Sequence, residues 1–171
     1  MAEEREDILQ IYRIAVRNAI VSGNSEVVPN SSPQHAAIII EEMLDAAKES
    51  FCAFSGAFHD DVWNESVINA LRRALRRGVK LSLVASDSAD CIPEELKANS
   101  FIVCQEKIAK ADPPIQKLRN HHFAISDGRV VRVEYDLVKR LAAFSANRPD
   151  VANVLIDEFI RLKNVSTKVA A

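Results

Sequence analysis

The sequence predicts an α/β fold: a single domain built on a mixed β-sheet with helices on its faces. Two patterns carry this reading. Through the first half, short apolar runs closed by turn residues alternate with segments of helical period. In the second half, Asp127-Gly128 joins two strand-like runs as a tight hairpin, so an antiparallel pair adds to strands connected through helices. Size agrees: 171 residues, 48% apolar and 27% charged, can build one core without disulfide staples.

Each element has its own signal. A first helix spans about Glu3 to Val21, with Ile8, Ile11, Ala15 and Ala19 as its apolar stripe and acidic residues in its first turn. Ser22-Gly23-Asn24-Ser25 ends it. Ser32 is an N-cap and Pro33 the first position of a second helix, which runs to about Lys48 and buries Ala36, Ile39, Ile40, Met43, Leu44 and Ala47. Phe51 to Ser55 reads as a buried strand. A loop with Phe58, His59, Asp60, Asp61 and Trp63 leads to a helix over Asn64 to Arg77, with Val67, Ile68, Leu71, Ala74 and Leu75 inward. Gly78 closes that helix. Strands follow at Val79–Val84 and Phe101–Cys104, separated by a polar loop and a short helix over Pro93 to Ala98. Pro113 and Pro114 make Lys107 to Asn120 irregular. Phe123–Ser126 and Arg129–Glu134 form the hairpin, Leu141–Phe144 is one more strand, and Pro149 opens a last helix presenting Val151, Val154, Leu155, Phe159 and Leu162.

Composition narrows the function. Lys plus Arg is 22 and Asp plus Glu is 24, so the net charge is −2, which excludes a globally basic nucleic-acid binder but not a local basic patch. Cys52, Cys91 and Cys104 share no CxxC spacing, so reduced thiols are expected and a zinc site is not. No apolar run has the length of a membrane span, and the acidic start is no secretory signal; the expected address is the cytoplasm. Glycine-rich phosphate loops, GxSxG and HExxH are absent, and the chain has only four glycines.

Three stretches carry a resemblance to a known family: Leu71-Arg72-Arg73-Ala74-Leu75-Arg76-Arg77-Gly78-Val79-Lys80, His121-His122-Phe123-Ala124-Ile125-Ser126-Asp127-Gly128, and Ala146-Asn147-Arg148-Pro149-Asp150-Val151-Ala152. In order and character they resemble the phospholipase D superfamily in its single-copy form, over about Pro33 to Leu162. This divides the chain into an N-terminal helix and loop, 1–30, and a phospholipase D-like domain, 31–171. The resemblance implies metal-independent phosphodiester chemistry without a cofactor. In the family motif H-x-K-x-x-x-x-D, one His attacks phosphorus, a second protonates the leaving oxygen, Lys neutralises the phosphate and Asp supports the His. A single-copy chain supplies both halves by homodimerising.

The motif here is degenerate. Counting back from Asp127 puts Asn120 at the His position and His122 at the Lys position; starting at His121 puts Phe123 there instead. Ser145 and Asn147 lie too far along for the family's downstream G-S-x-x-N, and Glu134 stands where a phosphate contact is expected. The candidate catalytic residues are therefore His122, His121 and Asp127, with Lys117 and Arg119 as phosphate contacts reaching in from the preceding loop. Each has a plain structural alternative: a satisfied core histidine, a hairpin aspartate, solvated loop charges. Arg72, Arg73, Arg76 and Arg77 share one helix face, which is either a solvated surface or a phosphate-backbone contact through Arg72 and Arg76. His59, Asp60 and Asp61 follow the first strand on the edge where α/β sheets place ligands, but adjacent aspartates make a poor metal site. Two functions fit: a homodimeric protein that binds, and in its active form cleaves, nucleic-acid phosphodiesters; or an inactive regulatory or interaction subunit of a larger complex with a protein partner. An unrelated small-molecule α/β enzyme ranks behind both, for want of a cofactor motif.

Overall fold

Residues 2–87, 89–110 and 121–170 are described by the computed structural model; for residues 2–5, 91, 105 and 109 only the backbone is described. The elements are α1 (Ala2–Ser22), β1 (Val28–Asn30), α2 (Pro33–Ala46), β2 (Ser50–Ser55), α3 (Glu65–Arg76), β3 (Lys80–Ala85), α4 (Glu94–Lys97), β4 (Ser100–Ile102), α5 (Gln105–Lys110), β5 (His122–Ser126), β6 (Val130–Asp136), β7 (Leu141–Ser145), α6 (Pro149–Asn164) and β8 (Thr167–Lys168). The described strands form one mixed sheet in the order β1-β7-β6-β5-β2-β3-β4-β8. β2, β3 and β4 run parallel, joined by right-sized helical connections. The rest of the sheet is antiparallel, including the β5–β6 hairpin.

Alternation along the strands divides the core in two. Phe51, Ala53, Leu83, Ala85, Ala124 and Phe144 face α1, α2 and α3. Phe54, Val84, Phe123, Ile125 and Val131 face the other way, against Phe159 and Leu162 of α6 and Ile108 of α5. The predicted caps hold at Ser32, whose hydroxyl accepts from the His35 N–H, and at Gly78, which takes a positive φ after α3; the Asn64 side chain, not anticipated as a cap, accepts from the Val67 N–H.

Several expectations need correction. Ile8 and Ile11 of the expected α1 stripe are exposed, at 61% and 67%, whereas Val16 and Ile20 are buried with Tyr12 and Ala19 beside them. The helix turns this second face inward because Glu42 of α2, itself buried, takes both Arg17 (2.8 Å) and Arg13 (3.1 Å). Leu75 and Val154 are exposed, each beside rather than on its helix's buried stripe. Lys107 to Lys110 are helical, since the prolines that argued against order come only later. Edge strands β1 and β8 were not anticipated; each exists only through its pairing, with β7 and β4.

The segment 1–30 is not set apart. Val16 and Ile20 belong to the same core as α2 and the sheet, β1 is the sheet's edge, and the Arg129 guanidinium donates to the carbonyls of Ala146 (2.9 Å) and Ile20 (3.5 Å). No described helix is long and apolar enough to cross a membrane.

Candidate functional site

The C-terminal end of β2 and the N-terminal end of β5 lie side by side, because the two strands pair antiparallel with Phe54 opposite Phe123. His122 therefore sits beside the turn that leaves β2. Its Nε2 accepts a hydrogen bond from the Gly56 N–H at 3.0 Å. Gly56 matters for its lack of a side chain: a Cβ there would lie 3.4 Å from Nε2. With Nε2 accepting, the neutral ring carries its proton on Nδ1. Nδ1 faces Glu134 Oε2 at 3.7 Å, the residue paired with His122 across β5–β6.

Glu134 is the meeting point of the cleft. Arg132, two residues earlier on the same face of β6, approaches Oε2 at 3.5 Å, and Arg140 approaches Oε1 at 3.6 Å. Arg140 also reaches Asp61 at 3.4 Å from the loop after β2. Burial opposes the Glu134 charge, but His122, Arg132 and Arg140 outweigh it and hold this carboxyl below the ordinary carboxylate range. Burial also lowers the pKa of the Arg132 guanidinium, against the pull of Glu134. Arg140 ends the β6–β7 turn with φ +57, a left-handed conformation that costs a non-glycine residue roughly 1–2 kcal/mol. Together with His59 and Trp63, these side chains line a cleft of about 140 Å³. That is close to the ~150 Å³ that accommodates a benzene-sized ligand, so it has room for one phosphate-sized group.

Of the residues singled out from sequence, His122 and Glu134 are central walls of this cleft, joined by His59, Asp61 and Trp63 from the loop. His121 is half-buried, precedes β5 and does not line the cleft. Asp127 lies at the far end of β5, where its carboxylate accepts from the backbone N–H groups of Lys48, Glu49 and Ser50 at 2.9–3.0 Å. It fastens the α2–β2 connection and touches no part of His122. Lys117 and Arg119 fall in 111–120, outside the described residues. Arg72 pairs with Glu95 (2.8 Å) and Asn69 (2.8 Å), and Arg73 pairs with Asp45, while Arg77 donates to the Leu44 carbonyl at the end of α2. Arg76 is exposed in the last turn of α3. Because α3 begins at the β2 end that carries the cleft and runs toward the start of β3, Arg76 points to the opposite end of the sheet. Ser145 is buried and donates to the Ser25 carbonyl at 3.1 Å. Among the described residues no group of three or more His, Cys, Asp or Glu side chains is arranged to hold a metal ion. Burial pushes the Cys52 thiol up to about 12, which leaves it an inert core group.

Arg132, Arg140 and Gly56 were not singled out from sequence. Arg132 had a signal: in Val130-Val131-Arg132-Val133-Glu134 the two charges share one face of an otherwise apolar central strand. Arg140 had none, since it reads as one more polar turn residue.

No protein-family model matches the sequence, and no curated protein matches it. Solved structures do match, three of them as follows. TrmBL2, an archaeal chromatin protein whose structure shows a novel mode of DNA binding, superposes with a TM-score of 0.61 at 16% identity over 98% of this chain. The present chain spans 62% of the length of TrmBL2. Nuc from Salmonella typhimurium, a phospholipase D family member, gives a TM-score of 0.57 at 18% identity, covering 85% of this chain and 99% of its own. NucT from Helicobacter pylori gives 0.59 at 11% identity, covering 84% and 99%. The chain thus has a phospholipase D-like fold: one domain, a mixed sheet flanked by helices.

Proposed function

We propose that this protein binds nucleic-acid phosphodiesters in the cleft around His122, acting as a cytoplasmic homodimer. One observation carries the reading. Two guanidinium groups, those of Arg132 and Arg140, line a phosphate-sized cleft and are held only loosely by carboxylates. Charge-assisted pairs typically close to about 2.7–2.9 Å. The contacts of Arg140 with Asp61 and Glu134 are 3.4 Å and 3.6 Å, so its N–H groups remain available to phosphate oxygens. The shared fold with a DNA-binding chromatin protein and a phospholipase D family member supports the same reading. In this account the motif is degenerate: His122 takes over at the Lys position, Lys117, Arg119 and His121 supply further contacts beside it, and Asp127 supports β5 through the backbone. Arg72 and Arg76 form a separate, weaker contact.

Cleavage is the second reading, favoured by the carboxylate of Glu134 beside Nδ1, the arrangement that orients a histidine for nucleophilic or general-base work. A phosphate oxygen taking the Gly56 N–H would free Nε2 for attack. The inactive subunit is the reading left if Nε2 stays engaged. The test is oligonucleotide binding and cleavage by wild type, Arg140→Gln, His121→Ala and His122→Ala, on single- and double-stranded DNA and RNA with EDTA present. The proposal expects salt-sensitive binding that Arg140→Gln weakens at least tenfold. Cleavage abolished by His122→Ala would establish an active site. Failure of every oligonucleotide to bind would overturn the proposal.

A further inference from the structure

Behind Arg132 lies a cluster of buried hydrogen-bond donors that the cleft's visible contacts do not use. Arg132 is 6% exposed and Asn30, on edge strand β1, is 4% exposed. Arg132 Nη2 donates to Asn30 Oδ1 at 3.4 Å, which fixes the amide so that Asn30 Nδ2 is its free donor. Asn30 Nδ2, Arg132 Nε and the Tyr12 hydroxyl are all buried without a hydrogen-bond partner among the described residues. The Tyr12 phenol, from α1, lies within the electrostatic reach of Arg132 and its ring stacks on His35 at 4.1 Å. Pairing across the sheet aligns this cluster with the cleft: Asn30, Ala142, Glu134 and His122 are consecutive partners across β1, β7, β6 and β5 and so share one face.

These facts present a physical imbalance. A buried guanidinium needs a close, fully hydrogen-bonded counter-charge. Among the described residues Arg132 has one carboxylate neighbour, Glu134, at 3.5 Å, and that carboxylate is shared with Arg140 and His122. Buried donors left unpaired are rare in folded proteins and mark strain or a ligand. Here three donors from three elements gather around one undercompensated cation. The group that answers them is an acceptor-rich oxyanion.

We propose that Arg132, Asn30 and Tyr12 form a recessed oxyanion subsite at the inner end of the cleft, and that its occupant is a terminal phosphate. An internal phosphodiester carries a sugar on each side and needs an open channel. Asn30 and Arg132 are too deeply buried to border such a channel, whereas a terminal phosphate, with three free oxygens and one attachment, reaches a buried site end-on. Arg132 lines the cleft and also donates to Asn30, and so joins the two. The inference rests on the phosphodiester reading of the same cleft and specifies its substrate class as a phosphorylated chain end.

The variant that tests it is Asn30→Asp. It keeps the shape, gives Arg132 a full counter-charge and so preserves the fold, but replaces a donor with a negative charge facing the anion. Tyr12→Phe removes one donor with little change of volume. The full-length proteins are titrated, at constant ionic strength, with inorganic phosphate and with one oligonucleotide carrying either a 5′-phosphate, a 3′-phosphate or hydroxyl ends. Thermal denaturation confirms folding. The subsite predicts that inorganic phosphate raises the wild-type Tm, and that one phosphorylated end binds at least tenfold tighter than hydroxyl ends. It also predicts that Asn30→Asp abolishes both effects and Tyr12→Phe reduces them several-fold. Oligonucleotide binding that ignores the end group, or a phosphate effect unchanged in Asn30→Asp, overturns the subsite while leaving the phosphodiester reading intact. A phosphate effect lost in Asn30→Asp, with no oligonucleotide binding at all, keeps the oxyanion subsite and removes the nucleic-acid reading.

Discussion

Glu134 ionises more readily than an ordinary carboxyl because His122, Arg132 and Arg140 outweigh the cost of its burial. That makes its contribution to stability pH-dependent with a definite sign. A depressed folded-state pKa stabilises the fold above the unfolded value of about 4.3, and the contribution disappears as pH falls through the lower folded value. Glu134→Gln leaves Arg132 buried without its carboxylate, so it destabilises at pH 7 by an amount on the order of 3 kcal/mol. Urea denaturation at pH 7 and pH 3 checks this: the gap between variant and wild type narrows at pH 3, and a constant gap contradicts the assignment. Asp127 acts on the backbone instead. Asp127→Ala removes the acceptor of three N–H groups, those of Lys48, Glu49 and Ser50. These are solvent-accessible, so water replaces part of the loss and the cost in denaturation is about 1–2 kcal/mol. Asp127→Asn costs less, because it keeps one oxygen and tolerates the φ of +49.

At the level of elements, α1 has two apolar faces and the sequence did not distinguish them. Ile8, Ile11, Ala15 and Ala19 recur at helical spacing, and so do Tyr12, Val16, Ala19 and Ile20. The choice is made by Glu42, which lies 25 residues beyond Arg17 and cannot be located from local periodicity. Ile20→Ala should cost about 2–5 kcal/mol, as for a buried aliphatic side chain, and Ile11→Ala should stay within about 0.5 kcal/mol of wild type, as for a surface site. Equilibrium denaturation reads both, and equal effects would reverse the docking of α1. The exposed face of Ile8, Ile11 and Ile14 is the surface to probe for the proposed homodimer. Ile11→Glu is expected to lower the dimer fraction in sedimentation at unchanged Tm. Helix α2 was legible from its cap and stripe, and α3 from its stripe and terminating glycine. Strands β1 and β8, with three and two residues, are too short for any periodic signal and depend wholly on their neighbours.

For the molecule as a whole, the sequence identified the layered sheet, the hairpin and the phospholipase D-like order of elements, because each rests on local patterns strung in a fixed order. The cleft was legible at His122, at Glu134 and in the loop that carries His59 and Asp61. Arg132 and Arg140 come from β6 and the β6–β7 turn, which pairing brings beside β5 and β2 from distant parts of the chain. The basic helix was the most conspicuous charge feature in the sequence, yet three of its four arginines are engaged within the fold. The account therefore places phosphate contact in the cleft ahead of α3. The most direct test measures binding of a short DNA over a range of salt concentrations for wild type, Arg140→Gln and the double variant Arg72→Gln/Arg76→Gln. Each lost phosphate contact lowers the salt slope by about 0.7–0.9. The account predicts that Arg140→Gln weakens binding at least tenfold and flattens the slope, while the α3 variant changes affinity less than threefold. Binding that survives in Arg140→Gln and collapses in the α3 variant would contradict it.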